Sequence, residues 1–474
     1  MESLKIGPAN RHTDGVRGCK FFSGAHGPVK PNNANSLNLF LMDCPICFSE
    51  TFDIAIPNDD SLKQMSLNAL SCLYQRYVTS LQSLCKSQRR YGNVNYGGFE
   101  MCMDQNEAQK NGCLIYIFNH DMSELFDKQM ETTLNCAIRK SNTDITFSEK
   151  YLNGEMVILN IESKHFSTLE TFVDMLKSSR VQQIVLEIHF DSNVESKSNH
   201  EKILSILRKL YAIQYRIYWF DRNFAFVKNG RSTCFTINFH LIEDVASHSL
   251  NSEISFEEVR FAEVLLNNAP SHQILCKQML RLGAITDGGW DVCHDELYRI
   301  RSPCIVYSFG INNDFSFDDD VERTFGCDVF AFDPSMSAKT HRRSKNVMFY
   351  AIGIGNENKN ITVGAGNWEI KTLDTIRREL GHTNRQIDIL KMDIESNEKQ
   401  SLPQMIKSGV LNKVRQLCIE FHDYHDVGTF LELYNIGFRI FWTHLNPATP
   451  YYVNNRSYSH GWEIYFVNIN LKRT

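Results

Sequence analysis

The chain has 474 residues, of which 42% are hydrophobic and 22% charged, and a formal net charge of −5. That length is too great for one ordinary core and predicts about two domains with extensions. The mild acidity leaves no electrostatic footprint for nucleic acid, and no apolar run approaches the roughly 20 residues that a membrane-spanning helix needs.

Residues 1–54 are rich in Gly, Asn, Pro and Ser with little periodicity, which predicts a disordered N-terminal segment. Its opening, MESLKIGPANRHTDGVRG, lacks the apolar stretch of a signal peptide, so the expected location is cytoplasmic. Fourteen cysteines fall below the density of a disulfide scaffold. The CxxC pair Cys44–Cys47 has no second CxxC at zinc-site spacing, so it reads as a free or incidental pair and no metal is expected.

Two long blocks then say nearly the same thing. LCKSQRRYGNVNYGGFEMC begins at Leu84 and LCKQMLRLGAITDGGWDVC at Leu275. Cys85, Gly97, Gly98, Cys102, Cys113, Tyr116 and Phe118 recur as Cys276, Gly288, Gly289, Cys293, Cys304, Tyr307 and Phe309, each 191 positions on. Ile161, Glu162, Ser163, Glu187 and His189 recur as Ile394, Glu395, Ser396, Glu420 and His422, now at 233. Identity at a constant offset through several residue types predicts a tandem duplication, with about 42 residues in the second copy that the first lacks. The expected copies are residues 55–245 and 256–474, joined by a polar linker at 246–255.

The second copy opens on SFEEVRFAEVLLNN, whose apolar residues recur at helical spacing. Four short apolar runs follow: CIVYSF ending at Gly310, CDVFAF ending on Asp333, QIDILKM ending at Asp393 and Glu395, and VRQLCIEFH ending on Glu420 and His422. Helical patterns, IKTLDTIRRELG and EKQSLPQMIKSGV, lie between them. Buried strands alternating with helices predict an α/β fold with an open, mainly parallel sheet. The basic loop KTHRRSK (Lys339–Lys345) reads as solvated, with anion docking as the alternative. The tripeptides NIT at Asn360 and NRS at Asn455 fit the N-glycosylation pattern, and without a secretory signal both read as chance.

Ligands of such sheets bind beyond the carboxyl ends of the strands. A glycine after the first strand lets backbone approach a ligand closely, and an acid about 20 positions later can take both hydroxyls of a ribose. Gly310 and Asp333, 23 residues apart, fit a nucleoside-containing cofactor. After Gly310 the chain reads INNDFSFDDD, with no further glycine and many carboxylates, which suits no pyrophosphate. S-adenosylmethionine carries no phosphate and a cationic methionyl end, so it fits that acidic loop better. Asp393, Glu395 and His422 are the candidates for a base beside the acceptor, and His422 also reads as a strand-end histidine satisfied by backbone.

LGAITDGGWDVC, CIVYSFGINNDFSFD, FDPS and IDILKMDIESNE, in that order, resemble the methyltransferase-like protein 24 group, which is related to FkbM-type methyltransferases. The resemblance spans roughly Phe256 to Lys472 and implies a class I, seven-stranded methyltransferase fold using S-adenosylmethionine; with the duplication, the expected fold is two tandem Rossmann-like α/β domains, the first truncated and degenerate. It implies that Ser308, Phe309 and Gly310 form the cofactor loop, that Asp333 with Pro334 and Ser335 meets the ribose, and that Asp393 and Glu395 stand near the transfer site. Gly288 and Gly289 form its DGGW turn, which either closes over the cofactor or shapes the chain. In the first copy Tyr96, Asn119 and Asn160 stand where the second has Asp287, Gly310 and Asp393, and the missing 42 residues are expected to remove the counterpart of CDVFAFDPS. An amide cannot act as a base or balance a cation. The expectation is therefore a methyltransferase acting through the second copy on an unidentified acceptor, with an inactive first copy packed against it. The alternative is a catalytically silent scaffold.

Overall fold

The computed structural model describes residues 16–20, 46–49 and 53–472, apart from 94–96, 105–112, 121–122, 142–153, 180, 191–195, 224–226, 229–230, 243–271, 286, 365, 423–426, 447–449 and 454–455. The expected linker, the helical pattern at 256–269, and the side chains of the CPIC pair lie outside the described residues.

Six strands build a first sheet: β1 (Cys113–Phe118), β2 (Cys136–Ser141), β3 (Met156–Glu162), β4 (Gln183–His189), β5 (Tyr215–Arg222) and β6 (Cys234–Leu241). Their spatial order is β5-β6-β4-β3-β1-β2. The last four are parallel, and β6 runs antiparallel to both neighbours. Eight strands build a second sheet: β7 (Ile305–Phe309), β8 (Asp328–Phe332), β9 (His341–Arg342), β10 (Val347–Tyr350), β11 (Ile387–Met392), β12 (Val414–His422), β13 (Phe438–Leu445) and β14 (Gly461–Asn468). Their order is β9-β10-β8-β7-β11-β12-β14-β13. From β10 to β12 all pairs are parallel, and β14 runs antiparallel between β12 and β13.

The strand bodies are buried because both faces are covered, as near-continuous Val, Ile, Leu and Phe runs require. In the first sheet the covering helices are α1 (Glu124–Leu134), α2 (Phe166–Met175) and α3 (Lys197–Ala212). In the second they are α4 (Ser316–Phe325), α5 (Leu373–Glu379), α6 (Glu398–Ser408) and α7 (Val427–Asn435). Local chemistry sets the ends of these helices. Ser123 accepts a hydrogen bond from the Phe126 N–H at the start of α1, while Gly326 and Gly409 end α4 and α6 in the left-handed conformation.

Two sequence expectations change here. The counterpart of CDVFAF is present in the first sheet: β2 runs parallel to β1, with Phe118 opposite Ser141 as Phe309 is opposite Phe332. By that register the sequence counterpart of Asp333 is Asn142, which lies outside the described residues. The extra residues of the second half fall after this strand. They supply β9, β10, α5 and a separate sheet made of Ile352–Ile354, Lys359–Val363 and Gly366–Lys371. The N-terminal segment is not wholly unstructured either, since Val16–Lys20, Ile46–Ser49 and Ile54–Ala55 pair as a three-stranded antiparallel sheet.

The cysteines depart from expectation more sharply. Cys85–Cys102, Cys113–Cys136, Cys276–Cys293 and Cys304–Cys327 are disulfides, and Cys72 is disulfide-bonded as well. Low overall density hid them, because density counts residues and says nothing of pairing.

One hydrophobic cluster runs through both halves. At its centre Trp219 of β5 stacks on Trp442 of β13 with ring centroids 4.6 Å apart, and Phe220 lies 4.3 Å from the same Trp442 ring. Each of these two edge strands carries the same hydrogen bonds within its own half. Gln82 N–H donates to Ile217 C=O and its side chain accepts from Ile217 N–H; Gln273 does the same with Ile440. Buried charges tie the seam further: Asp291 takes Arg281 at 2.9 Å from its own half and Arg222 at 3.1 Å from the other, and Lys277 meets Asp53 at 2.7 Å. Removing one partner of such a pair costs about 3–5 kcal/mol, because the other charge stays buried.

Truncating the central ring tests this seam. Trp442→Ala is expected to lower the unfolding free energy by about 3–5 kcal/mol. In urea titrations it is also expected to split a single transition into two, one per sheet.

Candidate active site

The second sheet reverses direction between β7 and β11: the chain leaves β7 towards β8 and β10, then crosses back to β11 and β12. The carboxyl ends of β7 and β11 therefore flank a crevice of the kind that holds ligands in open α/β sheets. Gly310 follows β7 with φ +76°, and a Cβ there would lie 1.6 Å from the Asp393 carbonyl oxygen. Only glycine allows this approach, and it is locked by Asp393 N–H donating to Phe309 C=O at 3.1 Å and Gly310 N–H donating to Phe332 C=O at 2.9 Å. Gly310, the end of β8 and Asp393 are thus neighbours, as their spacing predicted.

Asp333 stands at the same end. Its carboxylate accepts from the N–H groups of Ile311 and Asn312 at 2.9 and 2.8 Å. It also accepts from the Ser335 N–H and hydroxyl at 2.8 and 2.6 Å. Two of these bonds fasten the loop after Gly310 and two the turn at Ser335, and the side chain is buried. Ser335 is exposed and Pro334 half-buried beside it.

Other predicted residues serve the fold instead of facing the crevice. Phe309 stacks on Phe332 at 4.5 Å in the core. Ser308 is buried beside the Asp318 carboxyl. Gly288 has φ +88° and its Cβ position would strike the Asp314 carboxylate, while that of Gly289 would strike Ala284 C=O. The DGGW turn is therefore shaped by packing between the Met279–Leu282/Trp290–Cys293 hairpin and the loop after β7. Of the two roles weighed for it, the structure supplies the conformational one.

Beyond β11 and β12 an acidic group surrounds one histidine. His422 Nε2 lies 3.9 Å from Asp393 and 3.5 Å from Glu395, and its Nδ1 lies 3.4 Å from Glu398. Its backbone N–H donates to Glu398 at 2.8 Å. His422 is therefore held by carboxylates, not by backbone as expected. Glu395 and Ser396 adopt φ +50° and +70°, a left-handed pair that turns the chain sharply after Asp393. Burial works against a charge on His422, but Glu398, Glu420 and Asp393 outweigh it and lift its pKa to about 9. Burial, then the Asp393 and Glu463 charges, push Glu420 up to about 7. Asp393 is likewise raised by burial, against the pull of Lys391 and His422. Asp393, Glu395 and His422 place three ligand atoms within 4.8 Å of one another, so once His422 loses its proton they could hold a divalent cation.

Sequence reasoning missed Lys391. It is buried in the body of β11, and its ammonium donates to Phe309 C=O at 3.1 Å and to Gly310 C=O. The signal was a lysine inside an apolar strand, which needs a partner to be buried. Asp318 of α4 was missed too; burial lifts its carboxyl to about 7 against the opposing charge of Lys391.

In the first sheet the same end is filled differently. Asn119 takes the Gly310 position with φ +50°. Glu187 bridges His120 at 2.9 Å and His189 at 2.7 Å, and although buried it is held at about 2 by these two partners.

A sheet of this order, with carboxylates gathered at its switch point, defines an α/β domain. Residues 249–447 match the family model of a methyltransferase domain. The chain is 32% identical over 188 residues to probable methyltransferase-like protein 24 of Rattus norvegicus, covering 37% of this chain and 49% of that protein. To the Homo sapiens protein of the same name it is 30% identical over 162 residues, 32% of this chain and 44% of that one. The chain thus spans less than half the length of these curated relatives. The similarity to a methyltransferase domain and to proteins named probable methyltransferase-like protein 24 thus falls on part of the chain, with the family model on its C-terminal half. Phosphoethanolamine N-methyltransferase 2 of Haemonchus contortus, solved with S-adenosyl-L-methionine, aligns over 68% of this chain and 74% of its own at 10% identity and a TM-score of 0.20, an overlap too slight to argue from. No helix among the described residues is long and apolar enough to cross a membrane.

The electrostatics of His422 give a pH signature. Its folded-state pKa lies above the ordinary 6.5, so its charge stabilises the fold fully below about pH 6.5, and that contribution is lost as pH rises through about 9. Urea midpoints of the wild type are expected to fall between pH 7 and 10. In His422→Gln the midpoint is lower at pH 7 and the decline above pH 8 disappears.

Proposed function

We propose that this chain is an S-adenosylmethionine-dependent methyltransferase that works through its second sheet, and that the first sheet is an inactive duplicate braced against it. The observation that carries this reading is the contact of Gly310 with the Asp393 backbone, which leaves backbone and carboxylates, and no bulky side chain, at the head of the crevice. The donor set suits the cofactor: carboxylates favour its cationic methionyl amine and sulfonium, and no phosphate-binding glycines are required.

When bound, the cofactor supplies the electrophilic methyl group. The chain's own residues position and balance charge. Asp393 is placed to meet the methionyl amine. Glu395 and the Glu420–His422 pair line the acceptor side, where a carboxyl lifted to about 7 is poised to take a proton from a hydroxyl or amine acceptor. Asp333 has a double task, since a ribose diol must displace the Ser335 hydroxyl from its carboxylate. The domain limits that fit are 55–245 and 256–474. In the first, Asn119 and Asn160 stand in place of Gly310 and Asp393, and Glu187 is tied up between His120 and His189.

The Asp333 arrangement also favours a second reading, a silent methyltransferase-fold scaffold, because all four of the acid's bonds are spent on groups of the chain itself. Isothermal titration of the full chain separates the two. The enzyme reading expects one S-adenosylmethionine per chain at micromolar affinity, at least tenfold weaker binding in Asp333→Ala, and none in Gly310→Ala. No heat with S-adenosylmethionine or S-adenosylhomocysteine leaves the scaffold, and two sites per chain reject the inactive first copy.

A further inference from the structure

We infer that this chain matures in an oxidising compartment of the secretory type and carries an N-linked glycan on Asn360. The disulfides point there first. They occur as two matched sets: Cys85–Cys102 and Cys276–Cys293 each span 17 residues, and Cys113–Cys136 and Cys304–Cys327 each span 23. Each pair occupies the same place in its half. The first kind closes the hairpin Gln88–Tyr91/Phe99–Cys102 or its counterpart Met279–Leu282/Trp290–Cys293. The second kind staples the first two parallel strands of each sheet, with Cys113 directly opposite Cys136.

Cα separations of 4.4 to 5.9 Å are those of bonded cystines. Metal binding does not account for them. Two sulfurs and one carboxylate fall short of a four-ligand zinc site, and that carboxylate, Asp104 or Asp295, is committed to backbone N–H groups at 2.7 to 3.0 Å. Each closure takes two protons and two electrons from a pair of thiols and passes them to a disulfide oxidant, which leaves as a dithiol. The reducing cytosol does not sustain this in an ordinary protein.

Within such a compartment the tripeptide Asn360-Ile361-Thr362 acquires meaning. It lies on Lys359–Val363, the outer strand of the small sheet found only in the second half. Asn360 and Thr362 are both exposed, and the strand's free edge is open to an enzyme. Transfer joins the Asn360 Nδ2 to C1 of the first sugar of a lipid-pyrophosphate oligosaccharide. The C1–O bond breaks, the lipid pyrophosphate leaves with the bonding pair, and the amide releases one proton. A glycan here also blunts an edge strand that would otherwise pair with another chain. The proposal does not depend on methyl transfer and stands or falls separately.

The full chain is expressed both in the cytosol and behind a cleavable leader to the secretory lumen, then alkylated without reduction and weighed. Lumenal protein is expected to keep at least its eight paired cysteines unalkylated. It is also expected to lose one glycan to peptide-N-glycosidase, and Asn360→Gln and Thr362→Ala are each expected to abolish that loss. A cytosolic product that folds with every thiol free, and gains no thermal stability on oxidation, overturns the compartment. A lumenal product with no glycan, or one lost only in Asn455→Gln, overturns the Asn360 assignment.

Discussion

The second sheet depends on one close approach, Gly310 against the Asp393 carbonyl. Two parallel strands that part to opposite sides of a sheet leave their carboxyl ends side by side, and here nothing larger than hydrogen fits between them. That constraint fixes the rest of the site. It brings Phe309 C=O to the Asp393 N–H, it lets Lys391 reach the Phe309 and Gly310 carbonyls from below, and it leaves the loop after Gly310 to be fastened by Asp333. The carboxylates beyond it are crowded, and the crowd is tolerated because His422 is positive among them.

The first sheet repeats the parallel strands, the hairpin and the disulfides of the second. At its strand ends a carboxylate stands between two histidines. It also offers surface. The Trp219–Trp442 stack and the Arg222–Asp291 pair bury groups of the second half that would otherwise face water, so the two halves stabilise each other.

Much of this was legible beforehand. The β7, β8, β11 and β12 strands were readable because strands covered on both faces need unbroken apolar runs, and Gly310, Asp333 and Asp393 stand at their ends. Less legible was which side chains face the crevice. Ser308 and Phe309 point into the core, and alternation along a strand buried on both sides carries no polar mark to say so. The missing-strand expectation failed because offsets locate where the step changes only to within the nearest matched residues. The Cys113–Cys136 bond shows that the strand survives and that the gap follows it.

By itself the sequence determined the offsets of the recurring residues, the alternation of strands and helices, and the identity of the acidic residues, because these are local or periodic properties. The tertiary structure alone decided that Asp333 fastens the loop after Gly310, that Lys391 reaches the carbonyls at the end of β7, and that the cysteines pair. Each of these is a contact between residues far apart in the chain, set by which strands lie side by side, and no local pattern of residues encodes that distance.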